Sequence, residues 1–137
     1  MTTLHLGRLV DHVHLRVADL AASRRFHRAV LEVVGRLDAF RENDHAFRAD
    51  ERYVDRADGP VSRVHLAFQA RDDQQVQAFH QAAVAAGGRD NGGPGLRRVG
   101  PSYDAAFVLD PDGNNIEAVW HGPARRPAES AEIDPSR

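Results

Sequence analysis

Apolar and polar residues alternate in three short stretches of this chain. In the first, Val13, Leu15 and Val17 fall on one side and His12, His14 and Arg16 on the other. In the second, Val64, Leu66 and Phe68 oppose Arg63, His65 and Ala67; in the third, Ile116 and Ala118 oppose Asn115 and Glu117. A two-residue period marks a half-buried strand, and it predicts strands near residues 9–17, over 62–70 and over 115–120. Between them the period changes. Phe26, Val30 and Val33, with Leu31 and Val34, recur at helical spacing after Asp19, a good helix N-cap, and before Gly35, a good helix stop. Val76, Phe79, Ala83 and Val84 do the same after Asp72 or Asp73, and Gly87-Gly88 end that run.

Shorter segments fill the gaps. Residues 37–41, 45–49 and 52–55 read as strands, Asp58-Gly-Pro60 as a linker, and Asn91-Gly-Gly-Pro-Gly95 as a loop. A strand over 105–110, the turn Pro111-Asp-Gly-Asn114 and the strand over 115–120 form a hairpin, for which Asp-Gly is a strong signal. The order is therefore strand-helix-strand-strand-strand, twice. Neither copy is large enough to bury a good core alone, so the two must pair. The predicted fold is α+β, one domain over residues 1–121 built from modules at about 7–58 and 61–121. Residues 122–137 have little apolar content, and the expectation for them is a flexible tail.

Composition narrows the function. The 137 residues carry 18 Lys+Arg against 20 Asp+Glu, a net charge of −2, which leaves no basic footprint for nucleic acid. There are no cysteines, so disulfides, thiolate metal sites and cysteine nucleophiles are excluded. No secretory pattern opens the sequence and no apolar run is long enough to span a membrane, so the expected location is cytoplasmic.

The candidate chemistry lies on the polar faces of the three alternating stretches. His12, His65 and Glu117 stand there at near-equal spacing, each pointing away from the apolar side of its strand. Two imidazoles and one carboxylate, with positions left open, form the facial triad that binds iron(II) or a similar divalent ion. Each residue also has a plainer reading. Glu117 facing an enclosed interior could instead pair with Arg16 or Arg63 in a buried ion pair. His14 shares the face of His12 and is either a group behind the ligands, a substrate contact or polar filler. Tyr103, just before the hairpin, is either an acid at the cup mouth or a tyrosine packed against a loop. His27 packs between helix and sheet or is exposed, and His45, His80 and His121 read as surface residues. Arg97-Arg98 read as a solvated pair rather than an anion grip. The loop at Gly92–Gly95 lacks the Lys and the strand-helix context of a phosphate loop.

In order and at module spacing, three motifs resemble the vicinal oxygen chelate superfamily: His12-Val-His-Leu-Arg-Val-Ala-Asp-Leu20 with Ser23 and Phe26, Val64-His-Leu-Ala-Phe68, and Phe107-Val-Leu-Asp-Pro-Asp-Gly-Asn-Asn-Ile-Glu-Ala-Val119. That group includes glyoxalase I, fosfomycin-resistance thiol transferases, bleomycin-resistance binding proteins and extradiol dioxygenases. The resemblance covers about residues 9–121. It implies two βαβββ modules whose curved sheets form a cup around one divalent metal (Fe, Mn, Ni or Zn), with His12, His65 and Glu117 as its ligands. Glyoxalase I has a fourth ligand, a Glu on the last strand of the first module. The sequence departs there, and Glu51 and Asp55 are the residues at hand. The resemblance further implies a small-molecule substrate with adjacent oxygens, glyoxalase-like lyase or extradiol-type dioxygenase chemistry, and a homodimer whose cups are often built from modules of two chains. For catalysis it points to Glu117 as a proton carrier, with His14 or Tyr103 as acid or base. The competing expectation is a binding protein of the bleomycin-resistance type without chemistry; this chain has few aromatics for such a cleft and keeps the ligand trio.

Overall fold

Both predicted helices form, and so do most of the predicted strands; of the strand expected over 37–41, Leu37–Ala39 form a 3-10 turn and the strand begins at Phe40, while Arg89–Asp90 and Gly95–Arg97 are short strands beyond those expected. The computed structural model describes residues 4–6, 10–98, 103–123 and 131–133. In chain order the elements are β1 (Leu4–Leu6), β2 (Val13–Val17), α1 (Leu20–Val33), β3 (Phe40–Glu42), β4 (Ala46–Ala49), β5 (Arg52–Arg56), β6 (His65–Gln69), α2 (Asp73–Ala85), β7 (Arg89–Asp90), β8 (Gly95–Arg97), β9 (Tyr103–Leu109), β10 (Asn115–Trp120) and β11 (Ala131–Ile133). Asp19 accepts from the Ala22 N–H and Asp72 from the Gln75 N–H, so both predicted N-caps hold. Such a cap is worth about 1 kcal/mol. Gly35, at φ +76°, and Gly87, at φ +101°, follow the two helices in the left-handed region that stops them.

Four strands make the first sheet, in the order β2-β5-β4-β3, with β2 parallel to β5. The second sheet runs β6-β10-β9-β7, with β8 also on β9 and β6 parallel to β10. Each half thus places its opening strand parallel to its closing strand, with a helix between, which is the repeated βαβββ pattern. The chain passes from one half to the other beside β2, where the Ser62 N–H donates to the Arg16 carbonyl and the Arg16 N–H to Ser62 Oγ. Neither sheet closes into a barrel.

The core explains why the halves stay together. On α1, Phe26 and Val30 pack with Val76 and Phe79 of α2 and with Val108 and Ile116 of the second sheet. Leu31 and Val34, one turn on, pack with Leu15, Val17, Phe47 and Val54 of the first. Leu66 and Phe68 of β6 touch both clusters. Gly88 holds this seam tight: a Cβ there would lie 2.4 Å from a Val108 methyl and 2.6 Å from the Phe26 ring. Since one helix and one strand serve both clusters, neither half buries its apolar face without the other.

Two further expectations change. His12 does not lie in a strand: the first rung of β2 pairs Val13 with Arg52, and His12 is exposed just before it. The alternating pattern extends further than the backbone partner does. The tail is not wholly without structure either, since β11 pairs antiparallel with β1, Leu4 opposite Ile133. Its Ala-Glu-Ile alternation is too short to register as a strand without knowledge of the partner.

Candidate metal and substrate site

Strand register builds the centre of the site. Glu117 lies on β10, which has β6 on one side and β9 on the other, and it sits opposite Ala67 and Phe107. His65 opens β6 opposite Asn115, so its imidazole reaches diagonally to the carboxylate two residues on. His65 Nε2 lies 2.7 Å from Glu117 Oε1. The flanking strands leave the Glu117 side chain 8% exposed, while the imidazole is 53% exposed. The ring of Phe107 stands 5.9 Å from that of His65, and the Arg97 guanidinium lies over Phe107 at 5.4 Å. A carboxylate buried with one imidazole is costly to keep ionised unless a positive charge joins it. The arginine alternative for Glu117 is corrected here: its partner is a histidine, and Arg16 is engaged with Asp55 and Asp58 at 3.1 Å each.

The other half presents a second imidazole–carboxylate pair. His14 Nε2 lies 2.7 Å from Asp55 Oδ1, and the His14 ring meets the edge of Tyr53 at 5.1 Å. Asp55 therefore already holds His14 and Arg16. Glu51, the other residue weighed as a fourth ligand, lines a cavity of about 540 Å³ at the seam, with Arg36, Arg52, Phe68 and Arg71. That cavity touches neither His65 nor Glu117, and its charges are mixed. His12 is exposed, with Nδ1 2.7 Å from Asp11 Oδ1. It stands as far before the capping Asp19 as His65 stands before the capping Asp72, so the two occupy matching places in the repeat. Among the described residues no three His, Asp or Glu side chains gather into a metal-binding group. One chain thus brings together His65 and Glu117 and leaves His12 apart. Tyr103 sits on β9 on the face of Phe107, four residues away, with its ring 5.7 Å from that of His121.

Of the two roles weighed above, His27 takes the first and packs between helix and sheet. It is wholly buried, where Nε2 lies 3.1 Å from Asp110 Oδ2 and Nδ1 lies 3.1 Å from Arg52 Nη1. With Arg52 donating to Nδ1, the proton resides on Nε2 and is given to Asp110. Burial pushes the His27 pKa down to about 4, against the pull of Asp110, and pushes Arg52 down to about 10. Burial alone would raise Asp110, but hydrogen bonds from His27 and Asn114 outweigh it and hold that carboxyl below its ordinary value. Asp110 also accepts the N–H groups of Asp112 and Asn114, which shapes the hairpin turn leading into β10. This cluster ties α1 and β5 to the strand that carries Glu117. Nothing in the spacing of His27 and Asp110 marks it in advance, because the contact is made only when the halves pack. Phe107 was equally hidden, although counting back through the hairpin turn from Glu117 reaches it.

The comparisons with known proteins agree with this architecture. The family model described as Glyoxalase/Bleomycin resistance protein/Dioxygenase superfamily matches residues 9–118. Among solved structures, a glyoxalase/bleomycin resistance protein from Albidiferax ferrireducens is 29% identical at a TM-score of 0.70, covering 80% of this chain and 96% of that one. A glyoxalase-related enzyme from Fulvimarina pelagi is 18% identical at a TM-score of 0.66, covering 89% and 94%. A lactoylglutathione lyase from Agrobacterium tumefaciens is 19% identical at a TM-score of 0.57, covering 80% and 90%. No curated protein matches the chain. With the repeated βαβββ halves, the His65–Glu117 pair across the adjacent strands β6 and β10, and a family match across both modules, this chain belongs to the glyoxalase/bleomycin resistance protein/dioxygenase superfamily.

Proposed function

We propose that the protein is a metal-dependent enzyme acting on a small molecule with adjacent oxygens, of glyoxalase or dioxygenase type. The observation that carries this reading is the His65–Glu117 pair: a nearly buried carboxylate whose partner is an imidazole, both of them good donors to a divalent ion. His12, matching His65 in the repeat, would be the third ligand. The donor set of nitrogen and carboxylate oxygen suits Fe, Mn, Ni or Zn and gives no means of choosing among them. When bound, the ion would act as a Lewis acid on the chelated substrate oxygens.

The chain's own groups have distinct parts to play. Glu117, on an inner strand, is placed to take a proton from the substrate and return it. His65 fixes the orientation of that carboxylate from the exposed side. Phe107 walls the pair and excludes water from one flank. His12 belongs to the other half and does not converge with His65 and Glu117 in one chain, which supports a homodimer in which the first module of one copy faces the second module of the other. His14, beside Tyr53 and Asp55, then lines the opposite wall of the cup, a position from which it can hold or relay a proton.

The test is to load metal-free protein with each of the four ions and to assay a hemithioacetal of glutathione and a set of catechols. One ion should support turnover of one class, and Glu117→Gln should abolish it. Metal uptake without turnover of either class would remove the enzyme reading and leave small-molecule binding of the bleomycin-resistance type.

A further inference from the structure

The polar face of the first sheet carries a row of four side chains whose make-up calls for an anion. Arg41 on β3 is directly opposite Arg48 on β4, Arg48 is opposite Tyr53 on β5, and Tyr53 is opposite His14 on β2. Cross-strand partners share a face, and this face is the one turned from the core, because Phe40, Phe47, Val54 and Leu15 fill the other. Two arginines directly opposite one another repel, and such pairs are destabilising unless something lies between them. The Arg41 guanidinium is tethered to the carbonyls of Asp38 and Phe40 at 2.8 and 2.9 Å. Arg48 is half-buried, makes no ion pair among the described residues, and has a buried Nε without a hydrogen-bond partner. The carboxylates nearby are committed elsewhere. Asp55 holds His14 and Arg16, and Glu42, opposite Phe47 and so turned to the other face, lies 3.8 and 3.7 Å from Arg24 and Arg28 of α1. A small cavity of about 100 Å³ lies beside the row, walled by Arg41, Arg48 and Tyr53 and, at the strand end, by Asn43 and by Glu42, the carboxylate already paired with Arg24 and Arg28.

We propose that this row is an oxyanion site and that the substrate carries a carboxylate or a phosphoryl group at the end remote from its adjacent oxygens. Arg48 would take the anion through its guanidinium fork, Arg41 would add charge from the neighbouring strand, and the Tyr53 hydroxyl would donate to it. The site lies two strand spacings from His14, about 10 Å, so the substrate spans that reach from anion to metal. Its place in the cup rests on the function proposed above; the binding of an anion to Arg48 does not.

The experiment uses the full-length protein freed of metal, with inorganic phosphate and succinate as probes and chloride at matched ionic strength as the control. Arginine Nε–H signals and melting temperature are followed on titration. The expected result is saturable binding of at least one probe with a shift of the Arg48 signal and a rise in melting temperature. In Arg48→Gln, affinity should fall about tenfold or more, since a charge-assisted fork is lost. Arg48→Lys should be intermediate, because it keeps the charge without the fork. Arg48→Gln should melt no lower than wild type in the absence of probe, the repulsion with Arg41 being relieved; should it melt lower, Arg41→Gln serves as the second variant. Glu117→Gln should bind the probes as wild type does even though its metal site is spoiled, which separates this proposal from the metal reading. Absence of saturable binding in wild type, undiminished binding in Arg48→Gln, or equal loss in Glu117→Gln would overturn it.

Discussion

His65 Nε2 and Glu117 Oε1 lie 2.7 Å apart across two parallel strands, and the carboxylate half of that pair is 8% exposed. The asymmetry has an energetic consequence in the metal-free protein. His65→Ala would strand a nearly buried carboxylate and should cost about 1–3 kcal/mol. Adding Glu117→Gln to His65→Ala should return part of that loss, because a neutral amide tolerates burial better than an anion. Urea unfolding of the two single variants and the double variant measures it; additive losses would mean that the two side chains do not interact.

His27 makes folding stability depend on pH. Its pKa is lowered to about 4 from the ordinary 6.5 by burial. Between those values the unfolded chain binds a proton that the folded chain does not, so stability is full above about 6.5 and falls as the pH drops through about 4. The depression corresponds to roughly 3 kcal/mol at most, and Asp110, whose carboxyl is also held low, shifts stability in the same direction on acidification. His27→Gln should be less stable at neutral pH and should show a flatter dependence over that range. Melting curves from pH 4 to pH 7 on both proteins test this, and parallel curves would remove His27 as the cause.

Much of the fold was legible because it rests on local pattern. Leu15 and Val17 are buried and His14 is not, as alternation requires, and the helices begin at the capping aspartates. Relations between strands were not legible. That Glu117 and His65 share a site is expected from the motifs, but their direct pairing, the meeting of Asp55 with His14, and the facing of Arg48 with both Arg41 and Tyr53 are matters of register, which no single segment contains. His12 illustrates the limit from the other side. The alternation runs through it, but the backbone of β2 gains its partner only at Val13.

The separation of His12 from His65 and Glu117 predicts complementation between copies. Neither His12→Ala nor Glu117→Gln should hold metal tightly alone. If each cup is shared, mixing the two after dissociation should restore about a quarter of the sites, those formed in mixed dimers from the unaltered modules. Metal content of the re-isolated mixture is the readout. No recovery above the separate variants would mean that each site is built within one chain.

The claim on which the account depends is that Glu117 holds a divalent metal rather than merely pairing with His65. Metal stoichiometry of wild type and Glu117→Gln, prepared side by side and loaded with the same ion, tests it most directly, with the melting temperature of each metal-free sample as a check on folding. The expected result is close to one ion per chain in wild type, a large loss of affinity in the variant, and similar melting temperatures for the two metal-free samples. Full occupancy in Glu117→Gln, or no uptake by wild type, would contradict it.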